Sequence, residues 1–348
     1  MFNQTDSLNS THSYQTQPII TLPYSLTPLQ IIVTVLFVLT TSSSSLACIL
    51  VLIVLFLYFK EFKSNFYCVV ASLAIADLGF LLLVLFYCVP RNVLRNDARV
   101  NTAWVAGLIE ETSYFTGCTH LTYIAINRFV YACLNGPKNP LMDKIFHSRP
   151  AVAMRIVLLW VGGLAVPMAM QTHGCDLLYD DVNMAFVYNC RDNVTSEAVG
   201  RVLLGNTIVA GFLPCFVAAV HLMTWFVIYI KSKRVAATNE IKQARKRERR
   251  LLVQFTLISL ALILYYATFW AIPCWFGYSP GLVLITFFGI ASTAVNPFTH
   301  LAFNKMMKLK VKYLMFQVML KKCMVKKFDK SHNRTMNQTG HKSKDRHA

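Results

Sequence analysis

Glu110 and Arg128 stand eighteen residues apart in one apolar stretch, WVAGLIEETSYFTGCTHLTYIAINRFVYAC, running from Trp104 to Cys133. At ~3.6 residues per helical turn that is about five turns, so the two share a face, one near each end. Ionisable groups at membrane depth are costly and normally face a bundle interior or a wet cavity. The alternative is that they snorkel to the interfaces, a fair reading for Glu111 and a weaker one for Arg128. Glu110, Tyr114, Cys118 and Leu121 step down the stripe that ends at Arg128. A carboxylate there would favour a cationic or hydrogen-bond-donating ligand, with Trp270 or Trp275 as an aromatic wall. Equally, Glu110 could pair with an outer arginine such as Arg99 or Arg201 and only fix loops. Glu111, rotated by ~100°, is the better loop partner. Arg128 is a flat, permanently charged fork, suited to capping backbone carbonyls of an inserted partner helix.

A second set of polar residues lies on other apolar segments. Asp77 ends the run Ser-Leu-Ala-Ile-Ala-Asp, and Asn296-Pro297-Phe298-Thr299-His300 closes the last segment. Asp77 and Asn296 are plausible partners in a polar core. Taken singly, a membrane proline is often only a kink, and one buried Asp can be held neutral. His120, His221 and His300 lie on three different segments, and no two share a helix at metal-ligand spacing. A membrane hydrolase would need such convergence; lone histidines more often bond a neighbouring helix. A retinal receptor would need a Schiff-base lysine, and the last segment has none before Lys305. A transporter would show inverted repeats with matching breaks, which are absent from this sequence. Neither a metal nor a cofactor is expected, and the chain reads as a non-enzyme.

The elements that hold these residues follow from composition. The 348 residues are 55% hydrophobic and 14% charged, with a mean hydropathy of +0.46. A soluble domain carries about 25% charged residues, so this is a membrane protein. Its net charge of +18 records membrane topology rather than a nucleic-acid partner. Seven apolar segments are expected at 29–59, 66–90, 103–133, 151–171, 202–230, 251–276 and 281–303. The first contains the polar run Thr40 to Ser45, able to bond its own backbone or a neighbour. Residues 1–28 read as a disordered extracellular leader, 29–303 as the membrane domain, 304–322 as an interfacial helix and 323–348 as a disordered cytoplasmic tail. In the interfacial helix Met307, Val311, Leu314 and Val318 share one arc, opposite Lys305, Lys308 and Lys312. Cys323 beyond it is a candidate for palmitoylation.

Of the 34 Lys and Arg, 29 fall on one side of this topology, and only Arg91, Arg95, Arg99, Arg191 and Arg201 on the other. Positive residues stay inside, which puts the N-terminus outside and the tail in the cytosol. The basic stretch Lys242 to Arg250 would carry the sixth segment into the cytosol, to meet a partner protein or anionic lipid. Of ten cysteines, only Cys175 and Cys190 stand clearly in an outer loop, where oxidation can bridge them. Asn3, Asn9 and Asn193 head outward-facing glycosylation sequons, whereas those at Asn333 and Asn337 should be silent in the cytosol.

With these motifs in this order on seven spans, the chain resembles the rhodopsin-like G-protein-coupled receptors over nearly its whole length. More narrowly, it is similar to the nematode chemoreceptors of serpentine receptor class x. The stretches that carry this are AINRF at 125–129, GCDLLYDDVNMAFVYNC at 174–190 and RERRLLVQ at 247–254. The resemblance implies an all-α seven-helix bundle in the plasma membrane, sensory cilia included. It implies a small-molecule or peptide ligand outside and a heterotrimeric G protein inside. Asp77 matches the family's mid-membrane acid, Arg128 its G-protein-facing arginine, and Asn296 and Pro297 the hinge of helix seven. Asn127 stands where an acid should lock Arg128, His300 replaces the hinge tyrosine, and Ala103 stands where a disulfide cysteine is expected. No asparagine stands near Ile49, and Trp270 is one residue off the family's tryptophan position before Pro273. These departures also fit a seven-helix scaffold that no longer signals.

Overall fold

Thr27 starts the first helix with a reciprocal cap. Its Oγ1 accepts from Gln30 N at 3.3 Å, and Gln30 Oε1 accepts from Thr27 N at 3.2 Å, with Pro28 at the first helical position. The structure, a computed structural model, describes residues 27–62, 66–94, 100–133, 148–181, 183–190, 196–234, 239–276 and 278–317. The long helices are α1 (Pro28–Leu57), α2 (Phe66–Leu94), α3 (Val100–Cys133), α4 (Arg149–Thr172), α5 (Ser196–Arg234), α6 (Asn239–Phe276) and α7 (Tyr278–Phe303). A shorter helix, α8, covers 305–317. In α1 the polar run bonds its own backbone: Thr41 Oγ1 donates to Phe37 O at 2.5 Å and Ser44 Oγ to Thr40 O at 2.6 Å. That removes the cost of bringing hydroxyls into lipid. Within α2 the residues Val84–Cys88 form a π turn, a feature the apolar pattern does not announce.

Six of these helices are long and apolar enough to cross a bilayer. The seventh, α3, falls short because of its polar residues, and it is the central one: α2, α4, α5 and the inter-helix hairpin all pack on it. Gly163 of α4 permits that approach, since a Cβ there would stand 2.7 Å from Thr116 N. Several helices outrun their expected segments. Expected 202–230 is Ser196–Arg234, and expected 251–276 is Asn239–Phe276. Hydropathy marks where lipid begins, whereas helical hydrogen bonding continues past it into polar sequence.

Between α4 and α5 the chain leaves the all-α expectation. Gly174, at φ 77°, turns it off α4 into β1 (Cys175–Asp180), which pairs antiparallel with β2 (Ala185–Cys190). The register sets Cys175 opposite Cys190, and the two are joined in a disulfide.

Large apolar side chains face outward, Phe56 at 84% and Phe86 at 72% exposure, as a lipid-facing surface requires. Inside are two main apolar clusters. One surrounds Phe37, Leu81, Val84, Tyr179 and Ile290 near the hairpin; the other surrounds Phe66, Leu121, Phe255 and Met307 near Arg128. Asn304 caps α8 by accepting from Met307 N at 3.3 Å. Met307 is wholly buried, Val311 and Leu314 pack beside it, and Lys305, Lys308 and Lys312 are exposed. Lys310 pairs with Glu61 and lies 4.3 Å from the Tyr58 ring centroid, tying α8 to the end of α1.

Candidate functional site

The helical stripe on α3 becomes one wall of a cavity. Glu110, Ser113, Tyr114, Gly117, Cys118 and Leu121, at steps of three and four, line a space of about 60 Å3 closed by α2, α6 and α7. Asp77, Phe80, Tyr265, Ser292, Thr293 and Asn296 complete its polar and aromatic lining. Glu110 therefore faces the same interior as Asp77 and Asn296. Asn296 Nδ2 donates to Asp77 Oδ2, joining α7 to α2 at the cavity floor. The Asn296 side chain is 4% exposed and its Oδ1 is left unpaired. Tyr114 reaches the cavity with its ring, while its hydroxyl donates to Ala210 O on α5 at 3.0 Å. Trp270 and Trp275 were expected as the aromatic wall; their side chains lie outside the described residues. Tyr265 and Phe80 fill that role along the cavity. Ser113 was legible as the next step of the Glu110 stripe, but nothing in the sequence pointed to Tyr265 or Phe80.

Glu111 is the loop partner expected, though not by snorkelling. It is 5% exposed, meets no arginine among the described residues, and accepts from Tyr188 Oη of β2 at 2.6 Å and from Asn206 Nδ2 of α5 at 3.2 Å. Asn206 Nδ2 also donates to Tyr188 Oη at 2.5 Å, closing a three-member ring of side chains. Burial, reinforced by the Glu111 carboxylate, raises Tyr188 far above the ordinary phenol range, so its hydroxyl stays a donor. Arg201 pairs instead with Glu197 at 3.0 Å on the exposed side of α5. Arg99 lies outside the described residues, as do Asn3, Asn9, Asn193 and Cys323.

The hairpin is seated by two further contacts. Tyr179 Oη donates to Asn92 Oδ1 of α2 at 2.7 Å. At Gly107 of α3 the backbone of β1 comes so close that a Cβ would stand 2.6 Å from the Leu177 carbonyl carbon. With Ala103 where a cysteine would tether the loop, this notch and the Glu111 ring hold it to α3.

At the far end of α3, Arg128 places its guanidinium 4.2 Å from the centroid of Phe66, and Asn127 beside it is partly exposed. Phe255 of α6 sits at the centre of this end, wholly buried. It meets Phe66 edge-on at 6.0 Å, His300 edge-on at 6.0 Å and His221 in a parallel stack at 6.5 Å. Gln254 Nε2 donates to His300 Nδ1 at 2.6 Å. Pro297, buried in α7, has no backbone N–H and leaves the helix one internal bond short there. His120 lies midway, donating to Thr116 O at 2.7 Å and accepting from Ser72 Oγ at 2.9 Å, while Trp160 Nε1 donates to the same hydroxyl at 2.9 Å. Among the described residues no three His, Cys, Asp or Glu side chains gather as a metal-binding group.

The family model of the serpentine-type seven-transmembrane G-protein-coupled chemoreceptors, Srx, matches residues 39–304. This chain belongs to the Srx chemoreceptor family. The crystal structure of squid rhodopsin superposes on this Srx receptor with a TM-score of 0.64 at 15% sequence identity, covering 87% of this chain and 91% of that one. At that identity the likeness concerns the fold, a multi-pass bundle of the rhodopsin type. A comparison with curated proteins gives no match. Family and fold are those of a receptor rather than an enzyme, and the Srx match spans both the cavity and the Arg128 end.

Proposed function

We propose that this Srx receptor works at the plasma membrane, sensory cilia included, with the N-terminus and hairpin outside and the Arg128 end in the cytosol. The distribution of 29 of 34 Lys and Arg toward the Arg128 end supports that orientation. The ligand enters beside Glu110, and a heterotrimeric G protein docks at Arg128. The observation that carries the reading is the cavity itself. One stripe of α3 puts an acid into a cavity and, further along the same helix, an arginine at the opposite end. A ligand that binds the open form of the bundle better than the closed form shifts the population toward it. Asp77, Asn296, Pro297 and His300 then form the hinge through which α7 follows.

The test is guanine-nucleotide exchange on a co-expressed G protein, driven by a panel of volatile and soluble chemicals. Arg128→Ala is expected to keep surface expression and lose exchange; unchanged exchange would remove Arg128 from the coupling face. A second reading, a scaffold that does not signal, is favoured by Asn127 and His300 standing where the family has an acid and a tyrosine. Exchange absent with every G-protein class, at normal surface level, would establish it.

A further inference from the structure

The cavity carries more information than its being a ligand site. Two acids, Asp77 and Glu110, line it, and among the described residues the lining holds no Lys, Arg or His. Asp77 is bonded to Asn296, but Glu110 has no hydrogen-bond or ion-pair partner among the described residues. Asn296, nine-tenths buried and more, lines the same space and has an unpaired Oδ1. The ionisable carboxyl groups of the described lining are both acids, beside the hydroxyls of Ser113 and Tyr265.

The two acids sit at different depths, and the register of α2 against α3 says how different. A Cβ at Gly79 would lie 3.8 Å from Ser113 Oγ, and Ser72 bonds His120. Both pairs describe antiparallel helices in one register, which sets Asp77 level with Phe115. Glu110 is therefore five residues further along α3, an axial offset of roughly 7–8 Å at ~1.5 Å per residue. An extended four-carbon diamine spans a comparable distance between its nitrogens. Size agrees: a cavity of about 60 Å3 holds about four to six water-sized atoms at roughly 10–15 Å3 each. Tyr114, Tyr265 and Phe80 along the shaft suit an alkyl chain and the faces of ammonium groups.

We infer that the cavity takes a short aliphatic diamine as its dication, one ammonium at Glu110 and the other at the Asp77–Asn296 pair. The inference rests on reading the chain as a ligand-binding receptor, and it is tested by binding rather than by signalling. Full-length receptor in lipid nanodiscs is titrated with butane-1,4-diamine, butylamine and butan-1-ol at fixed ionic strength, and thermal stability is followed. The diamine is expected to bind about tenfold or more tightly than butylamine, and butanol not at all. Glu110→Gln and Asp77→Asn should each bring the diamine down to the level of butylamine. Equal affinity for mono- and diamine, a stability rise reproduced by sodium chloride alone, or no binding at all would overturn the inference. If Asp77→Asn fails to fold, Glu110→Gln decides alone: a retained preference for the diamine overturns the assignment. Nucleotide exchange keeps the two claims apart, because exchange driven by another chemical leaves the receptor reading standing when the diamine does not bind.

Discussion

The hairpin end and the Arg128 end bury polar groups in different ways. At the hairpin end Glu111 and Tyr179 bond across elements, while the Thr34 and Thr112 hydroxyls stay unpaired. Glu111 joins α3 to β2 and α5, and Tyr179 joins β1 to Asn92 of α2, although Asn92 Nδ2 and Asn206 Oδ1 stay unpaired. At the Arg128 end His221 is 1% exposed and neither ring nitrogen has a hydrogen-bond partner, while His300 Nε2 and Gln254 Oε1 are unpaired beside it. All three surround Phe255. A buried unpaired polar group costs about 1–3 kcal/mol, so this end carries unrelieved cost. The contrast is one of fastening: one end is tied by a disulfide and cross-element bonds, and the other packs unpaired polar atoms around Phe255.

Breaking the fastened end should have the largest effect. Replacing Cys175 and Cys190 by Ser opens a loop with a sequence separation of 15, for which chain entropy gives about 3 kcal/mol. Thermal unfolding under non-reducing conditions is expected to fall by that order. A variant as stable as the parent would mean that the hydrogen bonds alone seat the hairpin. Next comes Tyr188→Phe, which leaves Glu111 with Asn206 as its one remaining partner. A hydrogen bond to a charged acceptor is worth about 1.5–3 kcal/mol, so stability should drop by about 2 kcal/mol. An unchanged unfolding midpoint would place the clasp elsewhere.

Much of the bundle could be read from the chain, because lipid imposes one rule on every span: apolar outside, backbone bonded within. That rule found the segments and, through helical spacing, the Glu110–Leu121 stripe. It found α8 through the arc of Met307, Val311 and Leu314. It did not find the hairpin, since six-residue strands outside lipid obey cross-strand pairing instead of hydropathy. Helical rotation turned Glu111 toward the loops but could not name its partners Tyr188 and Asn206, 77 and 95 residues away. Tyr265 and Phe80 enter the cavity through the rotation of α6 and α2, which a stretch of near-uniform apolar sequence leaves undetermined.

Two changes sharpen the other side of the comparison. Asn127→Asp offers Arg128 a carboxylate next door, in competition with the Phe66 ring, a cation–π contact worth about 0.5–2 kcal/mol. The closed form should gain about 1 kcal/mol and basal nucleotide exchange should fall several-fold. Unchanged or higher basal exchange would mean that Arg128 is not what holds this end.

The smallest effect, and the most discriminating, is expected from His221→Phe. The substitution keeps a ring in the parallel stack on Phe255 and removes two unpaired nitrogens from a site that is 1% exposed. If His221 were an ordinary core histidine, losing it would be neutral or costly, and exchange would follow stability. If its nitrogens acquire partners only when α6 moves, the phenylalanine stabilises the closed form by up to about 1 kcal/mol, because the desolvation cost disappears. It also deprives the open form of the bonds that offset opening. Thermal stability should therefore rise slightly while agonist-driven exchange falls. The two quantities moving in opposite directions is the signature of a poised end. A parallel fall in both would return His221 to the core and leave Phe255 as a packing residue like any other.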